Sequence, residues 1–156
     1  MIIKNGKVFK ENTGFVLEDL LIFEDKITDN VDLATSDGLT YDASGKYIIP
    51  GLVDIHSHGA VGHDFCDASV EGLKEILKYE KSIGVTSYCP TSMTLSKEML
   101  LEIFNTAKDV NSCNDDELAQ IVGVNMEGPF ISDAKKGAQN GKYISKPDVG
   151  FFFKRR

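Results

Sequence analysis

The spacing of apolar residues changes character close to residue 47. Before it, apolar and polar residues alternate in short runs, MIIKNGKVF and FVLEDLLIFEDKIT, interrupted by Asn5-Gly6, Glu24-Asp25 and Asp37-Gly38. Alternation with a period of two, broken by turn-forming residues, is typical of β-strands. We therefore predict a small β unit over residues 1–48.

From there on, short apolar stretches alternate with amphipathic ones. Three stretches have the composition of strands: residues 47–58, broken at Pro50-Gly51, residues 85–90 and residues 121–126. Asp67 or Ser69 is the candidate N-cap of a first helical pattern, and Ser96 is that of a second. The apolar positions of these patterns recur every three or four residues: Val70, Leu73 and Leu77 in the first, and Leu100, Ile103, Phe104, Ala107 and Val110 in the second. Alternation of strands and helices predicts an α/β fold with a parallel sheet, and we assign three such βα units to residues 49–156.

The length of the chain limits how much of a barrel it can form. A closed (β/α) barrel takes about 250 residues, whereas three units are counted within 156 residues. We therefore expect an incomplete barrel. The end of the chain, residues 149–156, starts like a helix and stops after three phenylalanines and a basic cluster, which indicates a truncated or frame-shifted product. A compact domain with an amphipathic tail is the alternative.

Composition narrows the possible partners and locations. The chain is 42% hydrophobic and 26% charged, with a formal net charge of −7, so a nucleic-acid partner is not expected. No stretch approaches the roughly 20 apolar residues of a membrane helix, and we expect a cytoplasmic protein with no membrane partner. Cys66, Cys89 and Cys113 lack paired spacing, so reduced, buried thiols are predicted.

All three histidines fall within the segment DIHSHGAVGH. Because alternate side chains of a strand share a face, Asp54, His56 and His58 are predicted to project from one side at the C-terminal end of their strand. Glu127 follows directly after the stretch 121–126, which would bring it to the same rim. Two imidazoles and a carboxylate suit zinc, manganese, iron or nickel. We predict a metal site at His56, His58 and Glu127; ordinary surface or core histidines and a solvated carboxylate are the alternative.

Two motifs carry a resemblance to known proteins. PGLVDIHSHG, residues 50–59, resembles the signature of the metal-dependent amidohydrolase superfamily. MEGPFI, residues 126–131, together with KGAQ, residues 136–139, resembles the N-acetylglucosamine-6-phosphate deacetylase family. The similarity extends to about Val149, and the N-terminal β unit resembles part of the small β-sandwich that accompanies the family's barrel. The implied fold is the beginning of a TIM-like barrel preceded by a portion of that sandwich.

The resemblance implies roles for particular residues. Glu127 matches a metal ligand of the family, and His56 and His58 match a pair that binds a second metal in members that retain it. One or two divalent ions are therefore implied, with zinc expected first and iron, manganese or nickel as alternatives. Ala138 and Gln139 match the loop that contacts the phosphorylated sugar, although many relatives carry histidine in place of Gln139.

The implied reaction is removal of the acetyl group from N-acetylglucosamine 6-phosphate, giving glucosamine 6-phosphate and acetate. In the family a late-strand carboxylate is the general base and two further histidines complete the main metal site. These groups are expected beyond the C-terminus, so no catalytic residue is assigned and the chain alone is expected to be inactive. Open sheet edges favour a homo-oligomer. A dihydroorotase- or deaminase-like amidohydrolase and a non-catalytic fragment remain alternatives.

Overall fold

The chain divides into two compact units, Met1–Pro50 and Gly51–Arg156. The computed structural model describes residues 1–35 and 38–153. Among its described residues, the first unit contains five strands, β1 to β5, which are Ile2–Lys10, Gly14–Phe23, Lys26–Ile27, Thr40–Asp42 and Tyr47–Ile48. It also contains one short helix, α1, at Val31–Ala34. The predicted β character of this region is confirmed, whereas α1 was not predicted from the sequence.

Strand β1 is the centre of the first unit's sheet. It pairs antiparallel with β2 and parallel with β4 and β5, and β3 continues the sheet beyond β2. Tyr47 and Ile48 belong to this sheet, opposite Lys7 and Val8. The break predicted at Pro50-Gly51 within residues 47–58 is therefore confirmed, but the two halves are not one strand of the second unit. The chain is interrupted at Pro50-Gly51, where proline offers no N–H to a ladder, and its two halves join different sheets.

The second unit has a parallel sheet and two long helices. Its strands β6 to β11 are Leu52–Ser57, Gly59–Ala60, His63–Asp64, Val85–Ser92, Gln120–Ile121 and Asn125–Met126. Its α-helices are α2 (Val70–Ser82), α3 (Lys97–Ser112) and α4 (Val149–Phe153). Single 3₁₀ turns lie at Phe65–Asp67, Asp133–Lys135 and Gly141–Tyr143. The mixed α/β class predicted from the sequence is confirmed.

Strand β9 forms the middle of this sheet. Strands β6 and β10 both pair with Ser87 and Tyr88 of β9 and therefore flank it. Strand β11 pairs further along β9, at Thr91 and Ser92, and all of these pairings are parallel. The continuous strand predicted over residues 121–126 is wrong, because residues 122–124 interrupt the ladder between Ile121↔Tyr88 and Asn125↔Thr91. Parallel pairing brings the C-terminal ends of β6, β9 and β11 to one edge of the sheet.

Both long helices begin where the sequence predicts. The Ser69 hydroxyl accepts the N–H of Gly72 at 3.0 Å, and the Ser96 hydroxyl accepts that of Met99 at 3.3 Å, so each helix has a serine N-cap. The helices cover the sheet with a core made of these buried residues: Phe65, Leu73, Ile76, Leu77, Val85, Tyr88, Leu100, Ile103, Ala107, Val110, Ala119 and Ile121. Val70 was predicted to face inward but is 38% exposed.

The three cysteines are free thiols, as predicted, but they are less buried than expected. Cys66 and Cys89 are half-buried and Cys113 is exposed. Burial raises the pKa of the Cys66 thiol to about 11, which keeps it protonated at neutral pH. No helix in the described part of the chain has the length and apolar character needed to cross a bilayer.

Glu80 makes the stability of the second unit depend on pH. This α2 carboxyl is 4% exposed, and burial raises its pKa above the ordinary value of 4.5, with the negative charge of Asp54 adding to the effect. Because the folded state binds the proton more tightly, stability is lost as pH rises through the folded pKa. We expect Glu80→Gln to melt at a higher temperature than wild type at pH 7, with the gap closing towards pH 4.

Thermal melts across that pH range check this expectation. The control is Glu75→Gln, which removes an exposed carboxylate from the same helix and should leave the pH dependence unchanged. A constant difference between Glu80→Gln and wild type at every pH would contradict the assignment.

Candidate metal centre

The sheet brings three potential metal ligands to its C-terminal edge. His56 lies near the end of β6 and His58 just beyond it, while Glu127 follows β11 directly. Strands β6 and β11 both pair with β9, so the sheet brings together candidate ligands from elements that are far apart in sequence. One donor atom from each of the three side chains lies within 4.8 Å of the others.

Both imidazoles approach the same carboxylate oxygen. Glu127 Oε2 lies 3.4 Å from His56 Nε2 and 3.1 Å from His58 Nε2, and the two rings are inclined at 73°. Around a tetrahedral ion with bonds of about 2.1 Å, neighbouring ligand atoms are roughly 3.4 Å apart. The side chains of His56, His58 and Glu127 are 57%, 34% and 36% exposed. The group thus has the spacing of a metal site and remains open to water on one side.

The contact of the other ring nitrogen selects the tautomer that a neutral His58 ring adopts. His58 Nδ1 lies 3.1 Å from the carbonyl oxygen of Thr91. A carbonyl oxygen can only accept, so Nδ1 carries the hydrogen, and Nε2 of the neutral ring presents a lone pair. That lone pair faces the lone pairs of the Glu127 carboxylate, an arrangement that a cation between the two atoms stabilises. The donor set therefore fits a divalent ion.

Strand β6 does not alternate regularly where it carries the histidines. Its register with β9 shifts between Asp54 and Ser57. Asp54 Oδ1 accepts the main-chain N–H of His56 at 2.8 Å, and the charge of Asp54 acts on Glu80 and Tyr88. Asp54 thus holds the backbone of a candidate ligand, and it lies outside the candidate ligand group that the described residues form.

Further polar residues connect the strands that carry the ligands. The Asn125 side-chain amide donates to the carbonyl of Ile55 at 3.0 Å, and the Thr94 hydroxyl donates to the carbonyl of Glu127 at 3.0 Å. Sequence reasoning missed Thr91, Thr94 and Asn125. Their shared position at the C-terminal ends of β9 and β11 is the signal that could have identified them.

The remaining predicted residues lie in two other places. Ala138 is exposed in the loop after β11, whereas Gln139 is 5% exposed and its side chain points inward. Their contact with a sugar phosphate stays a prediction.

His63 is exposed in the β7–β8 hairpin and lies outside the ligand group that the described residues form. A cavity of about 340 Å³ lies at the other end of the strands, near Thr86 and Gln120.

The parallel β/α sheet with two imidazoles and one carboxylate at its C-terminal edge has the donor set of a metal-dependent hydrolase, the class that the motif PGLVDIHSHG resembles. No protein-family model matches it. It is 37% identical over 108 residues to the N-acetylglucosamine-6-phosphate deacetylase of Lysinibacillus sphaericus. The aligned residues make up 69% of this chain and 28% of that enzyme. It is 30% identical to the human enzyme of the same name, over 97% of this chain and 36% of that protein. The chain belongs to the N-acetylglucosamine-6-phosphate deacetylase family.

Solved structures of the same enzyme share the fold. The crystal structure from Thermotoga maritima superimposes with a TM-score of 0.73 at 27% identity, over 98% of this chain and 39% of that one. The structure from Pasteurella multocida gives a TM-score of 0.82 at 23% identity, over 97% of this chain and 40% of that one. A Mycobacterium smegmatis variant, with a TM-score of 0.72 at 22% identity, was solved in complex with N-acetyl-D-glucosamine 6-phosphate. The chain spans 28% to 36% of the length of the two curated relatives described.

Proposed function

We propose that the chain carries part of the metal centre of a deacetylase that hydrolyses N-acetylglucosamine 6-phosphate to glucosamine 6-phosphate and acetate. The observation that carries the proposal is the approach of His56 Nε2 and His58 Nε2 to one oxygen of Glu127. Membership of the deacetylase family supports the choice of substrate. The reaction itself is proposed for a polypeptide that also contains the general base and the further histidines implied by the resemblance.

The residues of this chain supply binding and orientation. His56, His58 and Glu127 would hold the ion, and the Thr91 carbonyl keeps the His58 ring turned so that Nε2 faces it. A divalent ion in this position supplies a polarised amide carbonyl and a water of lowered pKa. The open side of the ligand group leaves room for the acetamido group to approach.

Several finer assignments belong to the same proposal. Nitrogen and oxygen donors at tetrahedral spacing favour zinc over harder ions. We assign residues 49–156 to the first part of a (β/α) barrel and residues 1–48 to part of a β-sandwich. We assign Ala138 and Gln139 to the loop that contacts the sugar phosphate. We also assign the protein a cytoplasmic location. We further propose homo-oligomeric assembly, because the edge strand β6 exposes the apolar side chains of Val53 (61%) and Ile55 (66%).

A chimeric enzyme tests the function directly. Residues 51–151 of this chain replace the segment aligned with them in the Lysinibacillus sphaericus deacetylase. We expect the zinc-loaded chimera to release acetate from N-acetylglucosamine 6-phosphate, and the same chimera with Glu127→Ala to lose this activity. The isolated chain is expected to bind zinc without releasing acetate.

Matched controls separate loss of chemistry from loss of folding. Glu117→Ala removes an exposed carboxylate from the same unit and should leave acetate release intact. Dihydroorotate and cytosine serve as alternative substrates. A folded, zinc-loaded chimera that opens the dihydroorotate ring or releases ammonia from cytosine, and leaves the acetylated sugar phosphate untouched, would refute the proposed activity.

A further inference from the structure

Gln139 is buried although it lies in a surface loop. Its side chain is 5% exposed, and its Oε1 accepts the main-chain N–H of Thr94 at 2.7 Å. Its Nε2 lies 3.7 Å from the sulfur of Met93. Its own N–H donates to the Lys136 carbonyl at 3.0 Å, and the Lys136 ammonium donates to the Gln139 carbonyl at 3.1 Å. Each polar group of Gln139 is therefore engaged within the protein.

Thr94 connects this glutamine to the proposed metal ligand. Thr94 is 1% exposed, and its hydroxyl donates to the Glu127 carbonyl at 3.0 Å. Gly128, the next residue, packs so closely on Thr94 that a methyl group there would overlap the hydroxyl oxygen. Thr94 is therefore restrained at two points: its N–H is hydrogen-bonded to the Gln139 side chain, and its hydroxyl is hydrogen-bonded to the main-chain carbonyl of Glu127.

We propose that Gln139 is a positioning residue that acts through Thr94 to fix the backbone of Glu127, and with it the carboxylate that both imidazoles approach. The inference rests on the proposed metal centre. Residues that hold metal ligands in place commonly contribute about 10- to 100-fold to metal affinity. The same contacts connect the loop that carries Ala138 to the metal centre, so loop and centre are held in one arrangement.

Zinc affinity, measured by competition with a chelator, tests the proposal. Gln139→Leu removes both polar ends at similar volume, and Thr94→Val removes the hydroxyl at similar volume. We expect each to weaken zinc binding by about 10- to 100-fold. Thr94→Ser retains the hydroxyl and should bind as wild type does. Asn140→Ala is the matched loop control, since that side chain accepts the Lys142 N–H instead.

Two further measurements separate positioning from general stability. Hydrogen exchange at the Thr94 N–H should accelerate in Gln139→Leu and stay unchanged in Asn140→Ala. The double variant Gln139→Leu/Thr94→Val should weaken zinc binding less than the two single effects combined, because both act on one connection. If the single variants lower the melting temperature but bind zinc as tightly as wild type, the positioning role is overturned. If wild type binds no zinc, the metal centre itself is refuted, and the inference fails with it.

Discussion

Zinc binding by the chain is expected to weaken by roughly 100- to 1000-fold when Glu127 is replaced by alanine. Structural zinc sites with four ligands bind with about 10–16 kcal/mol, so one ligand accounts for about 2.5–4 kcal/mol. Glu127 supplies the oxygen that both imidazoles approach, at 3.4 Å from His56 and 3.1 Å from His58. Without it, the ion would be bound by the two imidazole nitrogens alone, with no negatively charged ligand from this group.

Equilibrium dialysis with elemental analysis measures this loss. Glu127→Gln keeps the side-chain volume and removes the charge, so it should also bind zinc weakly. Glu117→Ala, at an exposed carboxylate, should bind as wild type does. The backbone contact from Thr94 to the carbonyl of residue 127 survives in each Glu127 variant, and circular dichroism should show the folded spectrum. Stoichiometric, tight zinc in Glu127→Ala would remove the basis for this centre.

The ligand group could be predicted because it depends on a simple rule of parallel sheets. His56, His58 and Glu127 each stand at the C-terminal end of an apolar stretch, and parallel strands bring those ends together. The common face of Asp54 with the two histidines stays a prediction. It was based on strict alternation along β6, whereas the register of β6 with β9 shifts between Asp54 and Ser57, and such a shift depends on pairing that periodicity does not contain.

The difference between local pattern and long-range pairing also explains which helices and strands were predicted well. Helices α2 and α3 and their serine caps depend on residues within a few positions of one another, and the sequence pattern shows them. The strand predicted over residues 121–126 was wrong in extent, and the two halves predicted on either side of Pro50-Gly51 belong to different sheets, because strand limits and pairings depend on distant partners. Tyr47 pairs with Lys7 in one sheet, whereas Leu52 pairs with Val85 in another.

The burial of Gln139 and Thr94 is a further feature that the sequence alone could not predict. They lie 45 positions apart, and both residue types are common on surfaces, so composition gives no reason to expect either to be buried. Their burial follows from the close packing of the loop after β11 on the end of β9. Gly128 lies so close to Thr94 in that packing that there is no room for a methyl group, and this leads to the second large effect.

Gly128→Ala is expected to lower the free energy of unfolding by about 2–5 kcal/mol and to weaken zinc binding. The residue has φ +82, where a side chain costs about 1–2 kcal/mol. The new methyl group would also overlap the Thr94 hydroxyl, and such overpacking costs about 1–3 kcal/mol more. The overlap displaces the backbone beside Glu127, so the carboxylate moves away from the imidazoles. Urea unfolding and chelator competition measure the two effects.

Gly137→Ala is the matched control for this substitution. Gly137 also has a left-handed conformation, with φ +58, but no heavy atom lies within 4 Å of the added methyl group among the described residues. It should therefore lose only the conformational part, about 1–2 kcal/mol, and bind zinc as wild type does. Equal losses of stability in the two variants would show that backbone strain alone acts at Gly128. Unchanged zinc affinity in Gly128→Ala would show that the backbone beside Glu127 does not need Thr94 to place the carboxylate.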